Sequence, residues 1–425
     1  MALQQHSHQS CLSSTEVTTV SAKDLVPTRT NVLSALAIAC ASVLIGGIYP
    51  VFIGALLSEG RLSLDKVGLF VMTELLALVV GIFIASLYVR LNRVRTACIL
   101  ASLAGLLTNL LCLTAPTELS IIALRGATGL SEGILVWIAT AVVVRASNPT
   151  PYFAVSVFLQ LLSQAAAAAA LSVFTIPVYG SQSVFVALAA LCGLSMLLSL
   201  LIPQALESLP GNGSHGFIWR PQHFKPLAIA FLQVAAISAF WAYLEPLGES
   251  VGYDAHGIRS LVSATLLVGV VGASLSMITV QRFRPGITVF VASLGMMIIG
   301  TAMFATHAGD LYRFAVLLCA YQITCIFIVP FQSTLAIDVD RTGRVATVIP
   351  MAQLFGQAMG PFIASLAVHS DPAPALLTAI IMAAIATLLS VRLPRRVFLK
   401  MTTGGTANVT SALPGQPPKP CPHGR

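Results

Sequence analysis

Twelve apolar runs of helical length, set end to end with only short polar breaks, constrain this chain more than any other feature. A helix needs roughly 20 apolar residues to cross about 30 Å of hydrocarbon. The runs cover residues 31–56, 67–89, 96–115, 118–144, 152–177, 181–203, 226–247, 260–281, 287–306, 311–335, 345–368 and 374–391. Breaks such as Ser58-Glu59-Gly60-Arg61 and Asp371-Pro372-Ala373-Pro374 are turn chemistry. The runs are continuous and do not alternate in hydropathy, which excludes a β-barrel. Inside a bilayer each backbone group must bond within its own segment. The fold expected is therefore an all-α membrane protein with twelve transmembrane helices.

Composition closes the other routes. Charged residues make up 9% of the 425-residue chain and hydrophobic ones 56%. A soluble domain carries about a quarter charged residues. The eight cysteines form no C-x-x-C pair, and six of them lie in apolar runs, so they read as small buried hydrophobes and not as a disulfide or metal framework. Residues 1–30 are polar, with no apolar signal core, so the run 31–56 is read as an uncleaved first helix.

The net charge of +8 is a topology signal. With the N-terminus in the cytoplasm, 18 of the 23 lysines and arginines fall on the cytoplasmic side, as the positive-inside bias requires. Nothing then calls for nucleic acid. Both termini are expected inside, and the short loops suggest a bacterial inner membrane. Arg392, Arg395, Arg396 and Lys400 are placed to meet anionic lipid.

The chain repeats itself at an offset near 191 residues. Leu75-Leu76-Ala77-Leu78-Val79-Val80-Gly81 returns as Leu266-Leu267-Val268-Gly269-Val270-Val271-Gly272. Arg93-Val94-Arg95 returns as Arg282-Phe283-Arg284, and Gln160-Leu161-Leu162-Ser163-Gln164 as Gln353-Leu354-Phe355-Gly356-Gln357. Six spans separate the copies, so both start on the same side and form a parallel repeat. The expected units are an N-terminal tail (1–30), a six-helix half (31–203), a polar linker (204–225), a second half (226–392) and a C-terminal tail (393–425).

In this layout the sequence resembles the major facilitator superfamily over about 31–392. Leu124-Arg125 with Gly129 and Gly133 is similar to the family's fourth-span arginine motif. Gly356-Gln357-Ala358-Met359-Gly360-Pro361 is similar to its Gly-x-x-x-Gly-Pro motif. Gly81, Arg90, Arg93 and Arg95 match its loop 2–3 signature in part. The resemblance implies two pseudo-symmetric six-helix halves that rock about a central site, lined by spans 1, 4, 7 and 10. It implies gating roles for Arg93, Arg95, Arg282, Arg284, Gly356, Gly360 and Pro361. The residues alone equally allow topology-setting arginines and glycines that simply let helices approach closely.

Ionisable groups at membrane depth are functional candidates by default. Glu74, Arg125 and Glu132 qualify. Glu74 and Arg125 each lie seven residues inside the outer ends of their spans, roughly 10 Å deep. They either pair or are solvated separately. Glu132 lies about 10 Å deeper on the same helix face as Arg125 and has no partner evident in the sequence. It is the first candidate for a proton site, against a neutral packing role. Gln160 with Gln164, and Gln353 with Gln357, share helix faces near the midplane. They are read as substrate contacts or as polar glue between helices. Gln233 and Gln322 join them through the cavity the family implies. Trp241, Tyr243 and Glu245 precede Pro246 at the outer end of span 7. They are an aromatic belt with a solvated Glu245, or an outer gate with Trp241 reaching substrate.

No phosphate-binding Gly-x-x-x-x-Gly-Lys loop is present, and no nucleophile or metal-ligand cluster lies within the runs. An enzyme and a bound cofactor are not expected. The leading expectation is a monomeric, proton-coupled secondary transporter exporting small amphipathic organic compounds. Uptake of a small organic anion through Arg125 is the alternative. A non-transporting receptor or scaffold of the same fold is the third.

Overall fold

The computed structural model describes residues 27–146, 149–207, 220–340 and 344–391. The tails, most of the linker and the basic residues 392–400 lie outside them. Twelve long helices follow the twelve runs. In the first half these are α1 (Arg29–Ser58), α2 (Val67–Tyr88), α3 (Val94–Leu113), α4 (Glu118–Val144), α5 (Pro149–Ala170) and α6 (Ser181–Leu198). In the second they are α7 (Pro221–Ala242), α8 (Ala255–Thr279), α9 (Pro285–Phe304), α10 (Leu311–Val339), α11 (Arg344–Ser365) and α12 (Ala373–Val391). Eleven are long and apolar enough on their own to cross a membrane. α11, with two glutamines and two prolines in its interior, is the less apolar twelfth.

Helix ends follow local chemistry. Thr28 caps α1 and Thr117 caps α4, each through a reciprocal box with the residue three positions on. Span 7 ends five residues earlier than the hydropathy predicts. Pro246 has no N–H for the carbonyl of Ala242, and its ring crowds that carbonyl. The helix stops at Ala242, and after Tyr243 a short helix (Leu244–Val251) follows. α5 widens into a π-turn at Leu171–Thr175 before closing at Tyr179.

The halves repeat each other in packing as well as in sequence. In the first, α2 lies on α4, α3 on α4 and α6, and α1 on α4, α5 and α6. The second half repeats each pairing six helices on: α8 on α10, α9 on α10 and α12, α7 on α10, α11 and α12. Two seams join the halves, α2 with α11 and α5 with α8. Each is the image of the other under exchange of the halves. Outward-facing positions stay apolar: Phe83, Leu87, Phe174, Ile298 and Leu388 are all exposed. Such a surface is stable against lipid and not against water.

Candidate functional site

The polar interior divides unevenly between the halves. All three membrane-depth charges foreseen from the sequence meet in the first half. Arg125 of α4 and Glu74 of α2 are both wholly buried. Arg125 Nε donates to Glu74 Oε2 at 3.1 Å, and Nη2 donates to Glu74 Oε1. This two-point grip is the geometry guanidinium favours with carboxylate. Arg125 Nη1 donates to Asn109 Oδ1 of α3 at 2.8 Å, and the guanidinium stands over the Phe52 ring of α1. Four helices therefore hold this one cation.

Glu132 does have a partner, against the sequence expectation. Its Oε1 lies 3.9 Å from Arg125 Nη2. The arginine side chain is long enough to span most of the two helical turns between them. Glu132 Oε2 is buried and accepts no hydrogen bond among the described residues. The residue also lines a cavity of about 10 Å³ with Ser42, Cys192 and Ser195, about the room that one water needs.

Packing fixes these groups from below. Gly129 and Gly133 of α4 lie against the carbonyls of Glu74 and Leu78, with no space for a Cβ. Backbones can approach this closely only at small residues. The glycines seal a contact inside one half, not the contact between halves.

The second half carries amides instead. Gln353 Nε2 of α11 donates to Gln332 Oε1 of α10 at 2.5 Å. Gln332 Nε2 donates to Gln233 Oε1 of α7 at 2.7 Å, and Gln233 Nε2 to Ser293 Oγ of α9 at 2.6 Å. Ser293 ends the series on the Val289 carbonyl. Gln233 and Gln332 are fully buried, so Gln233 serves contacts within its half and does not face a cleft between halves. Gln322 is likewise buried and packs on Gly269 of α8.

Three further expectations are redirected. Trp241 is buried, and its Nε1 donates to the Gly46 carbonyl of α1 at 3.0 Å. Tyr243 is wholly buried as well. The aromatic-belt reading therefore fails: Trp241 bonds a helix of the other half and Tyr243 is shut away from lipid. Glu245 is not solvated. It is 1% exposed, and its Oε1 accepts from Arg259 Nε at 2.9 Å. Gly54 of α1 lies directly against its carboxylate. Among the other glutamines, Gln160 bonds Ser156 one turn back on α5, Gln164 donates to the Val43 carbonyl of α1, and Gln357 reaches Gly46 across the halves.

Comparison with known proteins decides the family. A family model described as Major Facilitator Superfamily matches residues 32–365. The chain belongs to this superfamily. A search among curated proteins finds no match. Solved structures with the superfamily's fold align over nearly their whole lengths. A single-residue mutant of the nucleoside transporter NupG matches with TM-score 0.69 at 10% identity, over 85% of this chain and 98% of that one. A bacterial homologue of the human lysosomal transporter Spinster matches with TM-score 0.68 at 13% identity, over 87% and 97%. A D-xylose–proton symporter matches with TM-score 0.64 at 12% identity, over 86% and 96%. Identities this low carry the fold alone.

The superfamily motifs can now be placed. Gly356 and Gly360 lie against the carbonyls of Phe231 and Ala235, so this motif joins α11 to α7 within the second half. The carbonyl of Pro361 meets Gly68 of α2 across the seam between halves. Arg95 donates to the Ile202 carbonyl in its own half at 2.8 Å, while Arg93, Arg282 and Arg284 are exposed on their loops. Sequence reasoning misses Asn109, Gln332, Ser293 and Arg259. The first three are uncharged, and Arg259 lies just outside an apolar run, where it reads as a loop residue. A search for amides as well as charges inside apolar runs finds Asn109 and Gln332.

Proposed function

We propose that this integral, multi-pass membrane protein is a proton-coupled secondary transporter working by alternating access, and that it exports small amphipathic organic compounds. One observation carries the coupling: two carboxylates share a single guanidinium in a water-poor interior. Glu74 takes two of its donors, while Glu132 stands at 3.9 Å with one oxygen unpartnered among the described residues. Charge balance at such a site needs one proton, because an uncompensated buried charge is expensive. Glu132 is the group to hold it, beside a cavity the size of a water.

The route from proton to movement runs along α2. This helix holds Glu74 and, six residues earlier, Gly68, which packs on Pro361 and Ser365 of α11. A change of charge at Glu132 alters the pull on Arg125, and α2 carries that change to the seam. The basic loops favour a cytoplasmic face at the end where α1 begins. On that orientation, Trp241 and Glu245 close the outer side. Capture of an anion by Arg125 has less support, because Glu74 and Asn109 occupy its donors.

The test is flux in proteoliposomes under an imposed pH gradient, across a panel of amphipathic compounds. Glu132→Gln keeps the side-chain shape and removes the titrating proton. Loss of gradient-driven flux, with exchange of compound retained, is the expected result. Unchanged gradient-driven flux overturns the assignment of Glu132.

A further inference from the structure

Helix α1 contains Pro50 in its interior. In an α-helix the N–H of residue i+4 donates to the carbonyl of residue i, and proline brings no N–H. The carbonyl left without that donor is Gly46. It is this carbonyl that Trp241 Nε1 reaches from the other half, 195 residues away in the chain. The acceptor is therefore made available by the sequence of one half and occupied by a donor from the other.

The surroundings are polar on both sides. The amide nitrogen of Gln357 lies 3.5 Å from where a Cβ on Gly46 would stand. Gln164 packs against Gly47. Gln164 and Gln357 are counterparts in the internal repeat, and they converge on adjacent glycines near the middle of α1.

Alternating access has to part α1 from α7 at this face, and parting them breaks the bond from Trp241. The Gly46 carbonyl then faces the opened cleft with neither a helical nor an indole donor. A carbonyl left unpaired costs free energy, so it takes a donor from water or from the cargo on its way out through the cleft. We propose that the Gly46 carbonyl is a cargo-binding group, occupied by the Trp241 indole when the cleft is shut. The cargo then carries a hydrogen-bond donor, such as a hydroxyl or an amide N–H, that replaces the indole. Gln164 and Gln357 flank it to meet the remaining polar groups. This inference rests on the transport reading above.

The latch and the cargo are tested separately on the full chain. For the latch, the native cysteines are replaced and Ser365→Cys is introduced, at the seam covered by Gly68. Labelling of that cysteine by a membrane-impermeant maleimide reports opening. Trp241→Phe, which keeps an aromatic ring and removes the N–H, raises the labelling rate about tenfold. Pro50→Ala gives Gly46 its helical donor back. In that background the effect of Trp241→Phe falls below about twofold. An effect of equal size in both backgrounds overturns the shared carbonyl.

For the cargo, the probes are aryl sulfonamides and benzamides, each paired with its fully N-methylated form, in pH-gradient-driven flux. Flux at least about tenfold lower for the methylated member is the expected result. Equal flux of both members overturns the donor requirement. Failure of every probe to move, with the latch cycle behaving as described, counts against the transport reading and removes the cargo assignment with it.

Discussion

Arg125 and Glu74 meet through two parallel hydrogen bonds although 51 residues of chain, including the whole of α3, separate them. The pair is fully buried. Arg125→Met strands both Glu74 and Glu132 and is expected to destabilise the protein by about 3 kcal/mol or more. Adding Glu74→Leu removes one stranded carboxylate and restores part of that loss. Thermal unfolding in detergent of the single and the double checks this, and a double no more stable than the single would contradict it.

Gly129 sets where Glu74 sits, since its missing side chain leaves room for the Glu74 carbonyl. Gly129→Ala forces α2 and α4 apart, at a cost of about 1–3 kcal/mol. A Cβ added at Gly193 meets nothing within 4 Å, so Gly193→Ala is the matched control and does not lower the melting temperature; its helical position favours a small rise.

Gln332 is the middle of three amides joined head to tail. Gln332→Leu leaves Gln233 Oε1 without its donor and Gln353 Nε2 without its acceptor. The expected loss is about 1–3 kcal/mol per stranded group. Adding Gln233→Leu to the same protein recovers part of it, because fewer polar atoms remain unmatched. Denaturant midpoints of the single and double variants decide the point.

Gly54 and Glu245 touch across the halves at the face where α1 ends. Gly54→Ala drives a methyl group into the carboxylate and disfavours the closed arrangement. The expected outcome is faster modification of a cysteine at position 365, several-fold over the parent. Shortening the acidic side chain by Glu245→Asp in the same protein brings the rate back down.

Much of this architecture is legible in the chain itself. Span 4 is delimited to the residue, because Thr117 caps it and Arg145 ends it in a sharp change of polarity. Membrane-depth charges also declare themselves, since Glu74, Arg125 and Glu132 are improbable in hydrocarbon unless they meet something. Glu245 and Arg259 do not, because a residue near the end of an apolar run reads as solvated. Glu245 is buried in the short helix beyond the break at Tyr243, against Arg259. Contacts to backbone carbonyls are invisible for a different reason. Trp241 finds Gly46 through a helix crossing, and no spacing rule within one helix describes a crossing.

The membrane-depth charges of the first half sum to −1 when Glu74 and Glu132 are both ionised, and to zero when one is protonated. The amide series of the second half is neutral in either case. A transmembrane voltage exerts about 2.3 kcal/mol per elementary charge for each 100 mV crossed. On the proposed proton-coupled cycle, holding the unbalanced charge in one half makes its movement sensitive to voltage in one protonation state and indifferent in the other. On that reading the electric and the chemical components of the driving gradient act on different steps.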